Sequence, residues 1–519
     1  MTAGLAASPQ ARAQGQGLQP AYGTDIRVGD LRDQFARSFQ DNPKAISDRA
    51  WTFTPSIDVS ESYDSGVRTS RGGYGKDYIT RVTPNLNATL ATRRIAGTVN
   101  YSPTLNFYVM NGDQNGITHN LNANATVTAV ENLLFVDLRG YAATQPILGG
   151  LATPGDTGGR GNEAQTMNFS VSPYLRYRFG DLASLRVAYT GSRNVISTVD
   201  PNAAAALAGV GNGFNGNYTS HQESLNVTSG PDLGRIQTSL DAAAMQYQGT
   251  GVYKGAHSET ASLSAGYALT RTFTVTGSVG HENIIYGGGV MRPITGITWS
   301  GGFHWAPNAD SSINASYGHQ QGSTSLAFDG TYAPTARIRL MARYSQGVGT
   351  GLQNLQNALS GSTVGPAGIS VDRVTGAPVQ LGNYLGQQSG IYRTTSASLS
   401  AVLLMDRDVY TLTVEQTERQ LLSAGTGPGI GSNSGINGSV GWQHTLSEAL
   451  SVNTFVQYGT RSVPGQAGNN TMAASVSTNY TLSQTLSTNL LLSHSETSGP
   501  TFGLAPARDL AVVGVHKAF

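Results

Sequence analysis

The sequence predicts an all-β fold, a transmembrane antiparallel β-barrel of about 22 strands, and three observations carry that expectation. Apolar and polar residues alternate with period two through much of the chain. Short turns and long polar connections follow one another in regular succession. Charged residues make up only 12% of the 519 residues, while glycine reaches 65; soluble domains carry about 25% charge.

The alternation is plainest in two near copies about 36 residues apart, HTLSEALSVNTFVQY from His444 and YTLSQTLSTNLLLSH from Tyr480. A repeat of that size first suggests a helical solenoid, whose apolar residues would follow the helical period. Here Leu450, Val452, Val456 and Tyr458 alternate instead with Ser451, Asn453 and Gln457. Such residues fall on opposite faces of a strand, so each copy reads as strand, tight turn, strand. The same holds for Phe273, Val275, Gly277 and Val279 against Thr272, Thr274, Thr276 and Ser278. It holds again for Ile338, Leu340, Ala342 and Tyr344 against Arg337, Arg339, Met341 and Arg343.

Composition excludes other classes. A net charge of +1 argues against a nucleic-acid binder. The longest apolar run, at residues 401–405, falls far short of the roughly 18 residues of a membrane-spanning helix. With Cys 0 there are no disulfides, thiolate metal sites or cysteine nucleophiles. No cofactor and no metal are expected.

Residues 1–20 end in Ala-Arg-Ala-Gln, similar to a signal-peptidase site, but offer too short an apolar stretch before it; they read as a leader remnant or a disordered tail. Residues 21–50 read as a periplasmic segment with a short helix at 27–40, set by Leu31, Phe35 and Phe39 and stopped by Asp41-Asn42-Pro43. That helix is far smaller than the folded plug of a large transporter barrel. The barrel is expected over 51–519.

Its first strand is 51–63 and its last 508–519, with hairpins between them around about ten tight turns. These turns include Thr92-Arg93-Arg94, Glu131-Asn132, Gly180-Asp181-Leu182, Pro231-Asp232-Leu233-Gly234 and Asp406-Arg407-Asp408. Others follow an aromatic residue, as at Tyr267-Ala-Leu-Thr-Arg and Tyr332-Ala-Pro-Thr-Ala. The connections at 145–161, 196–217, 287–293 and 347–390 are long and rich in Gly, Asn, Ser and Pro. Short turns facing the periplasm and long loops facing outward is the asymmetry of outer-membrane barrels. Within 347–390, Leu352, Leu355 and Leu359 are spaced for one apolar helix face, which predicts a segment folded inward as a constriction.

Tyr177, Phe179, Tyr267, Trp305, Tyr332, Trp442 and Tyr480 stand beside short turns, the level of an interfacial aromatic girdle. Arg176, Arg178, Arg186, Arg235, Arg337, Arg339 and Arg343 take the polar phase of their strands and are the expected pore-lining residues, partly paired with acids such as Asp137 and Asp241. The final residues place Val513, Val515 and Phe519 on one face, which looks like the C-terminal insertion signal read by the barrel-assembly machinery, although Lys517 stands where an aromatic is usual.

The blocks FTPSIDVSESYDSGV from Phe53, DYITRVTPNL from Asp77 and LFVDLRGY from Leu134 resemble the outer-membrane barrels associated with PEP-CTERM and exosortase loci, of putative β-barrel porin type. The resemblance implies export of an exopolysaccharide or a related envelope polymer. It also implies anionic polysaccharide and periplasmic export components as partners, beside outer-membrane lipid and lipopolysaccharide. The alternatives are a general diffusion porin and a structural or surface-binding barrel with a closed lumen.

No catalytic residue is expected. Gly211-Asn-Gly213-Phe-Asn-Gly216 matches a dinucleotide fingerprint in letters but lacks a strand and a helix around it, and His281-Glu282 is the one local acid–base pair worth naming. The location that follows is the outer membrane of a Gram-negative bacterium.

Overall fold

The computed structural model describes residues 50–69, 73–146, 163–198, 217–287, 292–350, 353, 362–364, 370–372, 390–423, 431–464, 467–499 and 505–519. The predicted helix at 27–40, residues 1–49 of the first two segments, the glycine motif at 211–216 and the leucines of the constriction helix all lie outside them.

Period-two sequence becomes wall. Twenty-two strands, from Trp51–Arg68 to Ala507–Ala518, form one antiparallel sheet in which each strand pairs with its neighbours in sequence. The last strand pairs back on the first, with Val59 opposite Val515 and Asp64 opposite Leu510, so the sheet has no edge. A separate two-stranded piece, Ser362–Val364 with Ser370–Asp372, stands in the longest connection. All ten short turns expected from sequence join strands here, some displaced by a residue or two: Tyr480 and Thr481 are still strand, and the chain turns at residues 484–485.

Several outer connections are no longer than the longest inner turns, and one departs furthest from the expected asymmetry. Ser312–Gln320 and Ser323–Thr335 are joined on the long-loop side by two residues, Gln321 with φ 48° and Gly322 with φ 67°. Positive φ at both central positions is the geometry of a tight hairpin turn, where Asn-Gly is the relaxed choice.

The molecule inverts the usual arrangement of polarity. Large apolar side chains such as Val279, Leu263, Leu399, Val440 and Val513 are exposed around the wall, while the most deeply covered polar side chains, among them Asp64, Asp77, Gln457 and Asn194, point inward. In water such a belt would be a severe aggregation hazard. In a bilayer it is what lipid requires, and an edgeless sheet is one of only two ways for a backbone to cross. The chain is therefore an outer-membrane barrel of the Gram-negative type.

Candidate functional site

The inner face near the short turns carries a basic patch on three adjacent strands, Leu134–Pro146, Glu163–Phe179 and Ala183–Thr198. Leu175, Tyr177, Val187 and Tyr189 are exposed to the outside, so alternation turns Tyr174, Arg176 and Arg186 inward. Register sets Arg176 directly opposite Arg186 and Tyr174 opposite Ala188. Arg186 lies over the Tyr174 ring, 4.2 Å to its centroid, and 4.0 Å from the Asp137 carboxylate. Asp137 also accepts a bond from the Thr126 hydroxyl at 2.7 Å. Arg139 shares this face, opposite Ser170, and Arg178 lies opposite Ser184. Arg176 and Arg186 thus face each other, Arg186 reaching the Asp137 carboxylate, while Arg139 and Arg178 lie further along the same face in opposite directions.

The other expected arginines divide. Arg343 is on the inner face and binds Asp329, Nε to Oδ2 3.2 Å, and Arg339 is half-buried on the same face opposite Val402. Arg235 and Arg337 lie in short turns at the rim: Arg235 lends its carbonyl to the Ala268 N–H, and Arg337 pairs with Asp406 in the adjoining turn at 3.3 Å. Asp241 is taken by the Asn226 amide.

The seven aromatics beside the short turns are all exposed on the outer face. Tyr177 and Phe179 meet edge to face at 4.9 Å, and the Trp442 indole donates to Asp408 at 2.8 Å, which also holds His444. A second set toward the other end, Tyr78, Phe107, Trp299, Tyr317 and Tyr458, is equally exposed; sequence reading passed it over because no short turn marks it. Val513, Val515 and Phe519 are exposed, and the Phe519 N–H bonds the Pro55 carbonyl at 3.0 Å. His281 and Glu282 do not pair: one is exposed and the other buried, as neighbours on a strand must diverge.

Apart from an inward segment expected within 347–390, sequence reading did not anticipate the outer mouth. Ala143, Ala164, Ile196, Tyr218, Val252, Tyr253, Val348 and Ile391 form one buried apolar cluster, with Tyr247, Tyr286 and Leu422 packed against it. Ala143 belongs to the fifth wall strand and Ile391 to the sixteenth of 22, half a ring apart. A contact cluster joining opposite walls has to cross the interior. Its centre is the connection between Ile236–Gly249 and His257–Ala268, where Tyr253 stacks on Tyr218 at 4.1 Å between ring centroids. The Tyr253 hydroxyl meets that of Thr350 at 2.6 Å. Gln353 donates to the Tyr247 hydroxyl at 3.3 Å and accepts from the Thr350 N–H at 2.9 Å. Burial pushes the Tyr253 hydroxyl far above its ordinary value.

No family model matches the chain. No curated protein matches it either, so the PEP-CTERM resemblance stays confined to its short blocks. Solved structures resemble it in layout. The ferric-catecholate import receptor Fiu from E. coli K12, in its open form, is 11% identical with a TM-score of 0.47, over 89% of this chain and 81% of its own. The FrpB iron transporter from Neisseria meningitidis, F5-1 variant, is 10% identical with a TM-score of 0.47, over 91% and 82%. OccAB3 from Acinetobacter baumannii is 9% identical with a TM-score of 0.36, over 90% and 99%. Likeness at this level is of architecture, and it assigns no cargo.

Proposed function

We propose that this barrel is a gated outer-membrane channel for anionic cargo. The observation that carries the reading is Arg176 opposite Arg186 on the inner face, with Arg139 and Arg178 further along the same face and Asp137 reached by Arg186 alone of the four. Cations lining a confined passage act more strongly than in bulk water, because low-dielectric walls focus their field. An acidic polysaccharide leaving the cell fits such a lining, since each acidic group could pass from one guanidinium to the next without a single tight site. That finer assignment rests on the sequence resemblance.

The cluster across the mouth favours a channel that rests shut over a general diffusion porin, and it also supports the second reading, a surface barrel that never opens. On this proposal the exposed aromatics form the girdle, and Val513, Val515 and Phe519 are read by the assembly machinery. Purified protein in a planar bilayer under a salt gradient tests it. Anion-selective reversal is expected, moving toward zero when Arg139, Arg176 and Arg186 become Gln. Cation selectivity, or no response to those changes, would overturn the lining, and silence under every condition would leave the closed barrel.

A further inference from the structure

The strand ladders on two sides of the mouth stop short. Gly116–Val130 and Leu134–Pro146 pair outward only as far as Leu121 opposite Ala142. The second strand continues, pairing with its other neighbour until Pro146 lies opposite Glu163. Likewise Ser323–Thr335 and Ile338–Thr350 pair outward only as far as Phe328 opposite Tyr344. The second again continues, paired with Ile391–Leu404 until Thr350 lies opposite Ile391. Residues 143–146 and 345–350 have each left one neighbour and kept the other. Both tips carry a member of the mouth cluster, Ala143 on one and Val348 on the other.

A strand edge stripped of its partner needs substitutes for the lost backbone bonds, and side chains supply them. The Gln165 amide accepts from the His119 N–H at 2.8 Å and donates to the His119 carbonyl at 2.9 Å, as a neighbouring strand would. At the other seam Gln321 accepts from the Val348 N–H at 2.7 Å, and the Tyr286 hydroxyl donates to the Val348 carbonyl at 3.3 Å. Gln321 does this from the left-handed backbone region, a position unfavourable for its side chain and held by this contact. Gln346 fills more of the same seam, accepting from Ser323 at 3.2 Å.

We propose that these are the closed positions of two moving strand tips. In the open state residues 143–146 and 345–350 return to their vacant neighbours, completing both ladders and drawing Ala143 and Val348 out of the mouth. The two arrangements exchange side-chain partners for backbone ones along the freed edges, which makes the element two-state rather than freely deformable. The glutamines and Tyr286 act as substitutes for the missing strand, and displacing them is the step that opens the gate.

The inference rests on the channel reading only for what the opening passes, so its test begins with the strands. Continuing the register from Phe328 and Tyr344 sets Ala327 opposite Ser345, two positions that pair with their other neighbours but not with each other in the closed state. In a chain with Cys 0, the pair Ala327→Cys and Ser345→Cys should form a disulfide in outer-membrane fractions under mild oxidation. It should form several-fold faster when Gln321 is also changed to Gly. The pair Thr331→Cys and Met341→Cys, already opposite one another, controls for folding and reactivity. Failure of the first pair to close while the control closes would overturn the strand movement. Conductance in the bilayer should then rise in the cross-linked protein and fall back on reduction. Cross-linking with no conductance would overturn the channel reading and leave the moving tips standing.

Discussion

Tyr253 and Thr350 share a hydrogen bond of 2.6 Å across the barrel mouth, although five strands of wall separate the elements that carry them. Such a bond exists only if the connection around Tyr253 folds inward over the mouth to reach that distant tip.

Replacing Tyr253 by Phe removes that bond and keeps the ring stacked on Tyr218. The loss of one buried hydrogen bond costs about 1 kcal/mol, while the gate should open more often than in the unaltered protein. Single-channel recording checks this, and an open probability no higher than that of the unaltered protein would detach Tyr253 from closure.

The same residue gives a pH dependence. Its hydroxyl is raised by burial, with the Thr350 bond acting in the other direction. The folded chain therefore holds this proton more tightly than the unfolded chain does. Its stabilising effect is complete below the ordinary tyrosine value of about 10 and is lost as pH rises beyond it. The mouth should stay shut through neutral pH and loosen only in strong alkali, and Tyr253→Phe should lack the alkaline component.

Asp329 is almost fully covered, while its partner Arg343 is partly open to the interior. Changing Arg343 to Gln strands a buried carboxylate and should cost about 2 kcal/mol. Changing Asp329 to Asn as well should recover much of that loss. Thermal unfolding of the single and double variants in detergent decides it; additive losses would mean that the two side chains act separately.

Asp64 is buried at the join of first and last strands and receives Arg508 Nε at 2.8 Å and the Gly66 N–H at 2.9 Å. Asp64→Ala leaves both donors without it, a loss of about 3 kcal/mol for a broken buried pair. Gly66→Ala should be comparably harmful, because a Cβ there would come within 2.6 Å of the Arg508 side chain. In both variants the heat-resistant folded band on gels should weaken.

The wall was legible in the sequence because each part of it is local. The turn at Pro231–Leu233 is marked by its own proline and by Gly234, and alternation at Phe273–Ile285 needs only the strand itself. Pairing between charges was less legible: Arg186 with Asp137 and Arg343 with Asp329 depend on register across hairpins. The mouth was not legible, because Tyr218, Tyr253, Val348 and Ile391 lie in separate connections and strand tips. The local pattern Thr250-Gly-Val-Tyr reads as an ordinary loop until the ring is closed. Gln321-Gly322 was missed because a two-residue turn there breaks the rule that outer connections are long.

The join between Asp64 and Arg508 also dictates an order of assembly. Every other wall pairing unites strands consecutive in the chain, whereas this one unites residues 444 apart. Bringing such distant segments together from a loose chain would cost about 5 kcal/mol in closure entropy alone. Hairpins formed earlier shorten that search by carrying the two edges around the ring toward each other. Closure is then the last event on the folding path, and until it happens the growing sheet presents two bare edges, its period of greatest exposure to misassembly.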